Sequence, residues 1–293
     1  MKTKYAVIYN PNAGKKQKDR LDTVQRVLTA AGADFIVLET DLNNRPRART
    51  EEAIRAGRTG IIGCGGDGTI NEIGSVVYRH PDTVLGIVPT GSGNDIARSQ
   101  GLPLDAEKAV ERILKNVIKE TDCGFANDHF FLNIASIGFD AEVVHKKTTL
   151  PRWVPPNLGY RLSVLLLMLA YRENRMRIRF NEHEMDRPML LCAVGVGRYY
   201  GGGIEILPNA VVDDGAFEIC AIQNLTIPER FVLLPALGSG KHLGKFDTVH
   251  YHAAQKVTIE TDRPGFLNID GELIPGVTKT EFVLVEKGMR IFG

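Results

Sequence analysis

From Tyr5 to about Thr121 the chain alternates short aliphatic runs with stretches of helical spacing. The runs Ala6-Val7-Ile8-Tyr9, Phe35-Ile36-Val37-Leu38, Ile61-Ile62-Gly63 and Val84-Leu85-Gly86-Ile87-Val88 are apolar throughout, as strands covered on both faces are. Between them, Leu21-Val24-Leu28 and Ala109-Ile113-Val117 repeat an apolar residue every three to four positions, which predicts helices. Strand and helix in this order predict a parallel, Rossmann-like α/β domain over residues 1–122.

After Asp122 the rhythm changes. Phe130 to Ile134, Met176 to Phe180, Met189 to Val194, Ala216 to Cys220 and Lys256 to Glu260 read as strands, and several alternate polar with apolar residues. That alternation belongs to half-buried antiparallel strands, so residues 123–278 are expected to form an all-β sandwich or barrel. One helical insertion, about 160–171, interrupts it. Two further strand-like runs, Glu281 to Val285 and Met289 to Phe292, close the chain.

Composition supports two cores. The chain has 293 residues, 43% of them hydrophobic, more than one core usually organises. Its formal charge is +1, which removes the electrostatic case for a nucleic-acid partner. Cys64, Cys123, Cys192 and Cys220 are scattered among apolar residues and read as buried, reduced thiols, in keeping with a cytoplasmic protein. The start carries no small-residue cleavage site, and the longest apolar run, Val164 to Ala170, falls short of the ~20 residues a membrane-spanning helix needs.

Three glycine-rich loops follow the strands of the first half: Asn10 to Lys16, Gly63 to Thr69 and Pro89 to Asp95. Glycine lets backbone N–H groups approach an anion closely, and each loop leads into a helix-like stretch whose N-terminus favours phosphate. Loops at successive strand ends share the carboxyl edge of the sheet, where ligands of open α/β sheets bind. Gly63 to Gly68 satisfies G-x-G-x-x-G, yet the acidic residue a dinucleotide site wants at the end of the next strand is missing, and Asp67 would face a pyrophosphate unfavourably. The Walker pattern also fails. An aspartate among phosphate-binding glycines suits a bridging cation, for which Mg2+ is the usual choice.

These residues resemble a known family. Gly65-Gly66-Asp67-Gly68-Thr69 with Asn71-Glu72, followed by Pro89-Thr90-Gly91-Ser92-Gly93-Asn94-Asp95-Ile96-Ala97-Arg98, is similar to the catalytic domain shared by diacylglycerol kinases, sphingosine kinases and bacterial soluble lipid kinases. Gly138-Phe139-Asp140, Gly201 to Gly215 and Asp270-Gly271-Glu272 resemble later motifs of that family. NAD kinases share Gly-Gly-Asp-Gly but lack Gly-Ser-Gly-Asn-Asp. The resemblance implies a NAD kinase-like α/β domain joined to a β-sandwich, with the last residues, about 279–293, returning to the first domain.

It also implies ATP as phosphate donor and a lipid alcohol as acceptor, diacylglycerol-like first, with a sphingoid base or phosphatidylglycerol-like lipid as alternatives. A non-catalytic nucleotide or lipid sensor is the reading from another class, and the intact carboxylates speak against it. The nucleotide would lie on Asn10, Pro11, Gly14 and Lys15, on Gly65, Gly66, Asp67, Gly68, Thr69 and Glu72, and on Thr90, Gly91, Ser92, Gly93 and Asn94. Lysines after a turn, as Lys15 and Lys16 are, are also commonly solvated. Asp67 and Asp122 are expected in a water-linked network to Mg2+. Asp95 and Arg98 fall on the substrate side, with Arg98 equally open to a surface pair. Glu272 is the candidate general base, within a turn that Asp270-Gly271 would also form as a plain hairpin. Asp214, with the carbonyls of Val211 and Ala216, resembles a second Mg2+ site, against which an ordinary turn competes.

Leu158 to Tyr171 is the most apolar helical stretch, flanked by Arg152, Trp153, Arg161 and Arg172. A helix packed on the sandwich is the preferred reading, and peripheral contact with the inner membrane face the other. His250 and His252 share a strand face without a third ligand. A homodimer is left open.

Overall fold

The computed structural model describes residues 3–11, 17–150 and 156–293, with the backbone alone for residues 17, 156–158, 160, 161 and 234. Its first part runs β1 (Lys4–Tyr9), α1 (Gln17–Ala30), β2 (Asp34–Glu39), α2 (Pro46–Arg55), β3 (Gly60–Gly65), α3 (Asp67–Val77), β4 (Val84–Pro89), α4 (Asp95–Ser99) and α5 (Ala106–Leu114). The strands pair in parallel in the order β2, β1, β3, β4. Successive residues point to opposite faces, so Ala6, Ile8, Ile61, Leu85 and Ile87 pack on Ile70, Ile73 and Val77 of α3. Tyr5, Val7, Ile62 and Val88 meet Val24 and Leu28 of α1 and Val110 and Ile113 of α5 on the other face. This is why the strand runs are continuously apolar.

The helix expected to reach Val117 is shorter. α5 ends at Leu114, Asn116 takes a φ of 54°, and Val117 is 52% exposed before the chain turns into β5 (Ile118–Ala126). Asparagine tolerates that left-handed conformation better than most side chains, so it stops a helix whose apolar spacing would continue. The expected strand Phe130 to Ile134 is likewise divided, into β6 (His129–Phe131) and β7 (Ile134–Gly138). At the break the backbone N–H groups of Leu132 and Ile134 both donate to the carboxylate of Asp270.

The rest comprises α6 (Phe139–Thr149), α7 (Pro156–Ala170), β8 (Asn174–Phe180), β9 (His183–Gly195), β10 (Phe217–Gln223), α8 (Ile227–Gly238), β11 (Val249–Ala254), β12 (Lys256–Ile269) and β13 (Glu272–Phe292). Antiparallel pairing orders these as β11, β10, β9, β7, β12 and β13, with β8 bridging β9 and β12. Phe131, Phe217, Phe282, Ile178 and Val194 fill one core of this half. On the opposite face, Leu191, Ala193 and Cys220 pack under Phe139 and Val143 of α6, Met168 of α7 and Leu233 and Leu237 of α8. All four cysteines are free and buried.

β13 ties the halves together. Its first part pairs with β12, from Phe282 it runs antiparallel to β5, and Ile291 lies parallel beside Leu85 of β4. The chain's last strand therefore lies against the first sheet. No helix among the described residues is long and apolar enough to cross a membrane.

α7 only half follows the expectation of a packed helix. Val164, Leu167, Met168 and Tyr171 join the core, while Leu162, Leu165, Leu166 and Leu169 point outward and are exposed. α8, which the sequence pattern did not single out, is held at its start by a capping box between Thr226 and Glu229. It adds Ile227, Phe231 and Val232 to the exposed apolar residues, and it packs against α7.

Candidate active site

The strand order reverses between β1 and β3, and the crevice at that point collects the loops leaving the carboxyl ends of the parallel strands. Asn10 and Pro11 follow β1, whereas Gly14 and Lys15 lie outside the described residues. The second and third loops touch each other. A Cβ on Gly91 would come within 2.5 Å of the Gly66 Cα, and Thr90 N–H donates to the Gly65 carbonyl at 2.9 Å. Gly65 is equally constrained, because a side chain there would strike Thr69. Only glycine allows this approach of two backbones, and it leaves the N-terminus of α3 open toward the cleft.

Asn94 has a local task. At φ 58° its side chain accepts from Gly91 N–H at 2.9 Å and donates to the Gly91 carbonyl at 3.1 Å, closing the third loop on itself. Arg20 of α1 donates to the Thr90 carbonyl and so holds the same loop from outside.

Asp67 and Asp95 flank Gly93. A Cβ on that glycine would sit 3.0 Å from Asp67 Oδ2 and 3.2 Å from Asp95 Oδ2. Asp67 Oδ1 accepts from Ile96 N–H at 3.0 Å, and Asp95 Oδ2 from Gly202 N–H at 2.7 Å. Burial pushes the Asp95 carboxyl up, the Gly202 N–H opposes this, and the Asp67 charge adds to the rise. Asp95 Oδ1 is buried without a hydrogen bond. Two converging carboxylates with an unbonded oxygen fit a divalent cation that takes its remaining ligands from phosphate and water. Among the described residues no group of three or more metal-binding side chains assembles.

The structure places Asp122 elsewhere. Its carboxylate is fully buried and committed to two backbone donors, Gly215 N–H at 2.8 Å and Lys287 N–H at 2.7 Å. Asp95, expected near Asp67, converges with it at Gly93, while Asp122 is held by these two backbone donors. Asp214 is exposed, with Oδ1 3.2 Å from Ala216 N, and Val211 is exposed too. Near this turn the Val212 carbonyl accepts from Asp122 N–H and Thr121 Oγ1, and the Gly215 carbonyl from the Gln255 amide. None of Val211, Asp214 and Ala216 lines the cleft.

Glu272 begins β13 on the Asp270-Gly271 turn, where φ values of 48° and 94° mark a tight hairpin. The hairpin that the Asp-Gly pair predicts is present. The turn lowers Glu272 over the second glycine loop, with Oε1 3.8 Å from where a Gly68 Cβ would be. Glu72 of α3 is close by, its carboxyl pushed up by burial first and by Glu272 second. Arg98 lies exposed at the rim, and its Nε is 3.4 Å from the Gly93 carbonyl.

Asp270 was not singled out for a role. Its carboxylate accepts from Leu132 N–H, Ile134 N–H and the Asn71 amide at 2.8 to 2.9 Å. It lines the cleft of about 630 Å³ together with Asp67, Ser92, Asp95, Asp140, Lys147 and Tyr200. A turn aspartate signals a hairpin in sequence; that it also receives a helix from the other half is visible only in three dimensions.

Residues 4–126 match the model of the diacylglycerol kinase catalytic domain, and residues 133–289 that of the YegS C-terminal NAD kinase beta sandwich-like domain. A protein of Chromohalobacter salexigens called "Probable lipid kinase YegS-like" is 34% identical over 225 residues, covering 75% of this chain and 72% of that one. The chain belongs to the diacylglycerol kinase catalytic-domain family. It is an enzyme of the ATP-dependent lipid kinase class. Within the family, a diacylglycerol kinase of Staphylococcus carnosus is 28% identical over 275 residues, 93% of this chain and 89% of that one. The fold matches the crystal structure of a diacylglycerol kinase from Bacillus anthracis with a TM-score of 0.74 at 23% identity, over 99% of this chain and 96% of that one. The α/β half and the antiparallel half are thus the family's two parts, and the glycine loops lie in the first.

Proposed function

We propose that the enzyme transfers the γ-phosphate of ATP to the hydroxyl of a diacylglycerol-like lipid, with Glu272 as general base and Mg2+ at Asp67 and Asp95. The observation that carries this reading is the position of Glu272 over Gly68, the residue that follows Asp67, whose carboxylate converges with that of Asp95 at Gly93. Phosphoryl transfer needs a proton acceptor for the attacking hydroxyl and charge neutralisation at the phosphates, for which Glu272 and a cation at the aspartate pair are the candidates. The lipid hydroxyl oxygen bonds to the γ-phosphorus as its proton moves to a Glu272 carboxylate oxygen, and the bond to the β–γ bridging oxygen breaks to release ADP. Bound at Asp67 and Asp95, Mg2+ would offset the negative charge of the phosphates. The N-terminus of α3 and the glycine N–H groups orient the phosphates.

A lipid acceptor is supported by an apolar cavity of about 210 Å³ beneath α7 and α8, lined by Phe139, Val164, Met168, Leu190, Leu233 and Leu237. It adjoins the cleft, so a lipid whose hydroxyl reaches Glu272 can lay an acyl tail in an apolar space. The outward leucines of α7 and the apolar residues of α8 lie on the outer side of the same helices, which suits a peripheral visit to a membrane surface. A panel of diacylglycerol, sphingoid base, phosphatidylglycerol and water-soluble alcohols with ATP, run with and without Mg2+, tests the reading. Labelled phosphate on diacylglycerol, lost with chelator, is the expected result. Transfer to soluble alcohols alone would overturn it.

A further inference from the structure

A second polar pocket, of about 160 Å³, lies just past the end of α7, where Glu142, Tyr171, Arg172, Asn174, Arg263 and Phe266 help to line it. It shares no lining residue with the cleft or with the apolar cavity. One water needs only about 10–15 Å³, so the space admits a group of several heavy atoms. The charges in it do not neutralise one another. Among the described residues the side chains of Arg172 and Glu142 make no ion pair or hydrogen bond, and Arg263 meets no carboxylate. Glu173, the acid next to Arg172, is taken by Arg230.

Arg263 is built into place. Along β12 the pairing with β13 slips from Glu260 opposite Lys279 to Gly265 opposite Val277, a bulge that takes Asp262, Arg263 and Pro264 out of that ladder. Thr261 Oγ1 and Asn174 Nδ2 donate to the Arg263 carbonyl at 3.0 and 2.8 Å, and Arg263 Nη2 donates to the Glu173 carbonyl at 2.7 Å. A guanidinium has five N–H donors, so the fork is oriented while most of it stays available. Two such forks match the oxygens of a phosphate. Glu142, half-buried in the first turn of α6, repels a lone anion but accepts from an ammonium group. A ligand that carries a phosphate and an ammonium a few bonds apart meets both conditions.

The helix beside the pocket sets the source of that ligand. Arg172 is three residues from Leu169, at most ~11 Å of chain, and Leu162, Leu165, Leu166 and Leu169 are exposed. A bilayer lying on those leucines brings its headgroups to the pocket. Resting on the peripheral membrane contact proposed above, we propose that this pocket binds the phosphoethanolamine headgroup of a bilayer lipid, with the phosphate on Arg172 and Arg263 and the ammonium on Glu142. The lipid held there is an anchor and not the acceptor of the phosphoryl group. A primary ammonium donates three N–H bonds, whereas the trimethylammonium of a choline lipid donates none. A glycerol headgroup carries the phosphate without a cation.

The test is sedimentation of the full chain, without ATP, with vesicles of phosphatidylcholine alone and of phosphatidylcholine mixed with phosphatidylethanolamine or with phosphatidylglycerol. Wild type should bind the ethanolamine vesicles about tenfold more tightly than the other two, the effect of one hydrogen bond to a charged group. Glu142→Gln, which keeps the size of the side chain, should lower that affinity to the phosphatidylcholine level, and Arg172→Ala should weaken it about tenfold. Soluble phosphoethanolamine should release the wild type, and inorganic phosphate at the same concentration should not. Equal binding to the choline and ethanolamine vesicles, or tightest binding to phosphatidylglycerol, overturns the proposal. Amphipathic surfaces also respond to lipid composition without any headgroup site, so an ethanolamine preference that survives in folded Glu142→Gln overturns it too. Equal release by both soluble anions does the same. Failure of wild type to bind any of the vesicles removes the membrane contact itself, whereas equal binding to choline and ethanolamine vesicles removes this proposal alone.

Discussion

The Asn71 side-chain amide lies 2.8 Å from Asp270 Oδ2, one bond joining residues that are 199 positions apart. Asn71 is on the helix that begins in the second glycine loop, and Asp270 is in the turn that carries Glu272. The bond therefore sets the candidate base against the phosphate loop. Asn71 also donates to the Phe130 carbonyl at 3.1 Å, so both halves of the molecule meet at this amide.

Asn71→Ala should loosen that register. Loss of a buried donor shared by a carboxylate and a carbonyl costs about 1–3 kcal/mol of stability, read as a lower urea midpoint. Because catalysis suffers when a reacting group moves by about an ångström, kcat should drop roughly tenfold or more with a smaller change in the KM for ATP. A variant as active as wild type would show that the Asp270 turn is positioned without Asn71.

Glu272 is exposed, so its removal should leave folding intact. Glu272→Ala and Glu272→Gln should both retain the wild-type melting temperature and lose about 10²–10⁴ in kcat, the range of a general base. Nucleotide affinity, measured by titration with a non-hydrolysable ATP analogue, should be unaffected. Turnover that survives both substitutions would assign the proton acceptor to another group.

Gly91→Ala tests the contact between the second and third loops. Its methyl would need the space 2.5 Å from the Gly66 Cα, a distance no pair of non-bonded carbons sustains. The loops must part, the N–H groups facing the phosphates lose their geometry, and the KM for ATP should rise by an order of magnitude or more, the cost of misplaced anion contacts. Gly101, where a Cβ meets nothing within 4 Å, is outside this contact. Gly101→Ala should leave the KM for ATP near wild type, although its φ of 65° disfavours a side chain and lowers stability.

How much of this was legible in the sequence follows from what each signal encodes. Continuous apolar runs gave β1, β3 and β4, because strands covered on both faces need no polar alternation. The glycine loops were readable because close backbone approach admits one residue type. Asp122 was not readable: its neighbours Gly215 and Lys287 are distant in sequence, and only the folded chain shows that they occupy its carboxylate. Asp270 was legible as part of a motif but not in its role, since its partners Asn71, Leu132 and Ile134 are distant in sequence. The preferred reading of α7 as a packed helix holds on one side only, because an apolar stripe in sequence does not say which of its faces finds a partner. Here Met168 is buried while Leu165 and Leu169 are exposed on the same helix.

That exposed side gives a prediction about membranes. Leu165→Ser with Leu169→Ser removes apolar surface from the outside of α7 without touching Val164 or Met168, which face the cavity. Melting temperature should hold, because exposed substitutions usually change stability by under ~0.5 kcal/mol. Activity toward long-chain diacylglycerol in vesicles should fall several-fold, while activity toward a short-chain, water-soluble diacylglycerol should persist. Parallel losses on both substrates would place these leucines in folding or catalysis and not in surface contact.

Asp270 supplies a test through pH. Burial pushes its carboxyl up to about 6, against the opposing N–H groups of Leu132 and Ile134 and the Asn71 amide. An unfolded aspartate titrates near ~3.9. The folded state therefore binds more protons than the unfolded state between those two values, and stability declines as pH rises through that window. The favourable contribution is complete below ~4 and gone above ~6, and it totals at most about 3 kcal/mol. Asp270→Asn cannot ionise, so the unfolding free energy of wild type minus that of the variant should fall as pH goes from about 4 to about 6.5 and then level. A difference that rises over this range would mean that the three donors hold the carboxylate ionised more strongly than burial resists it.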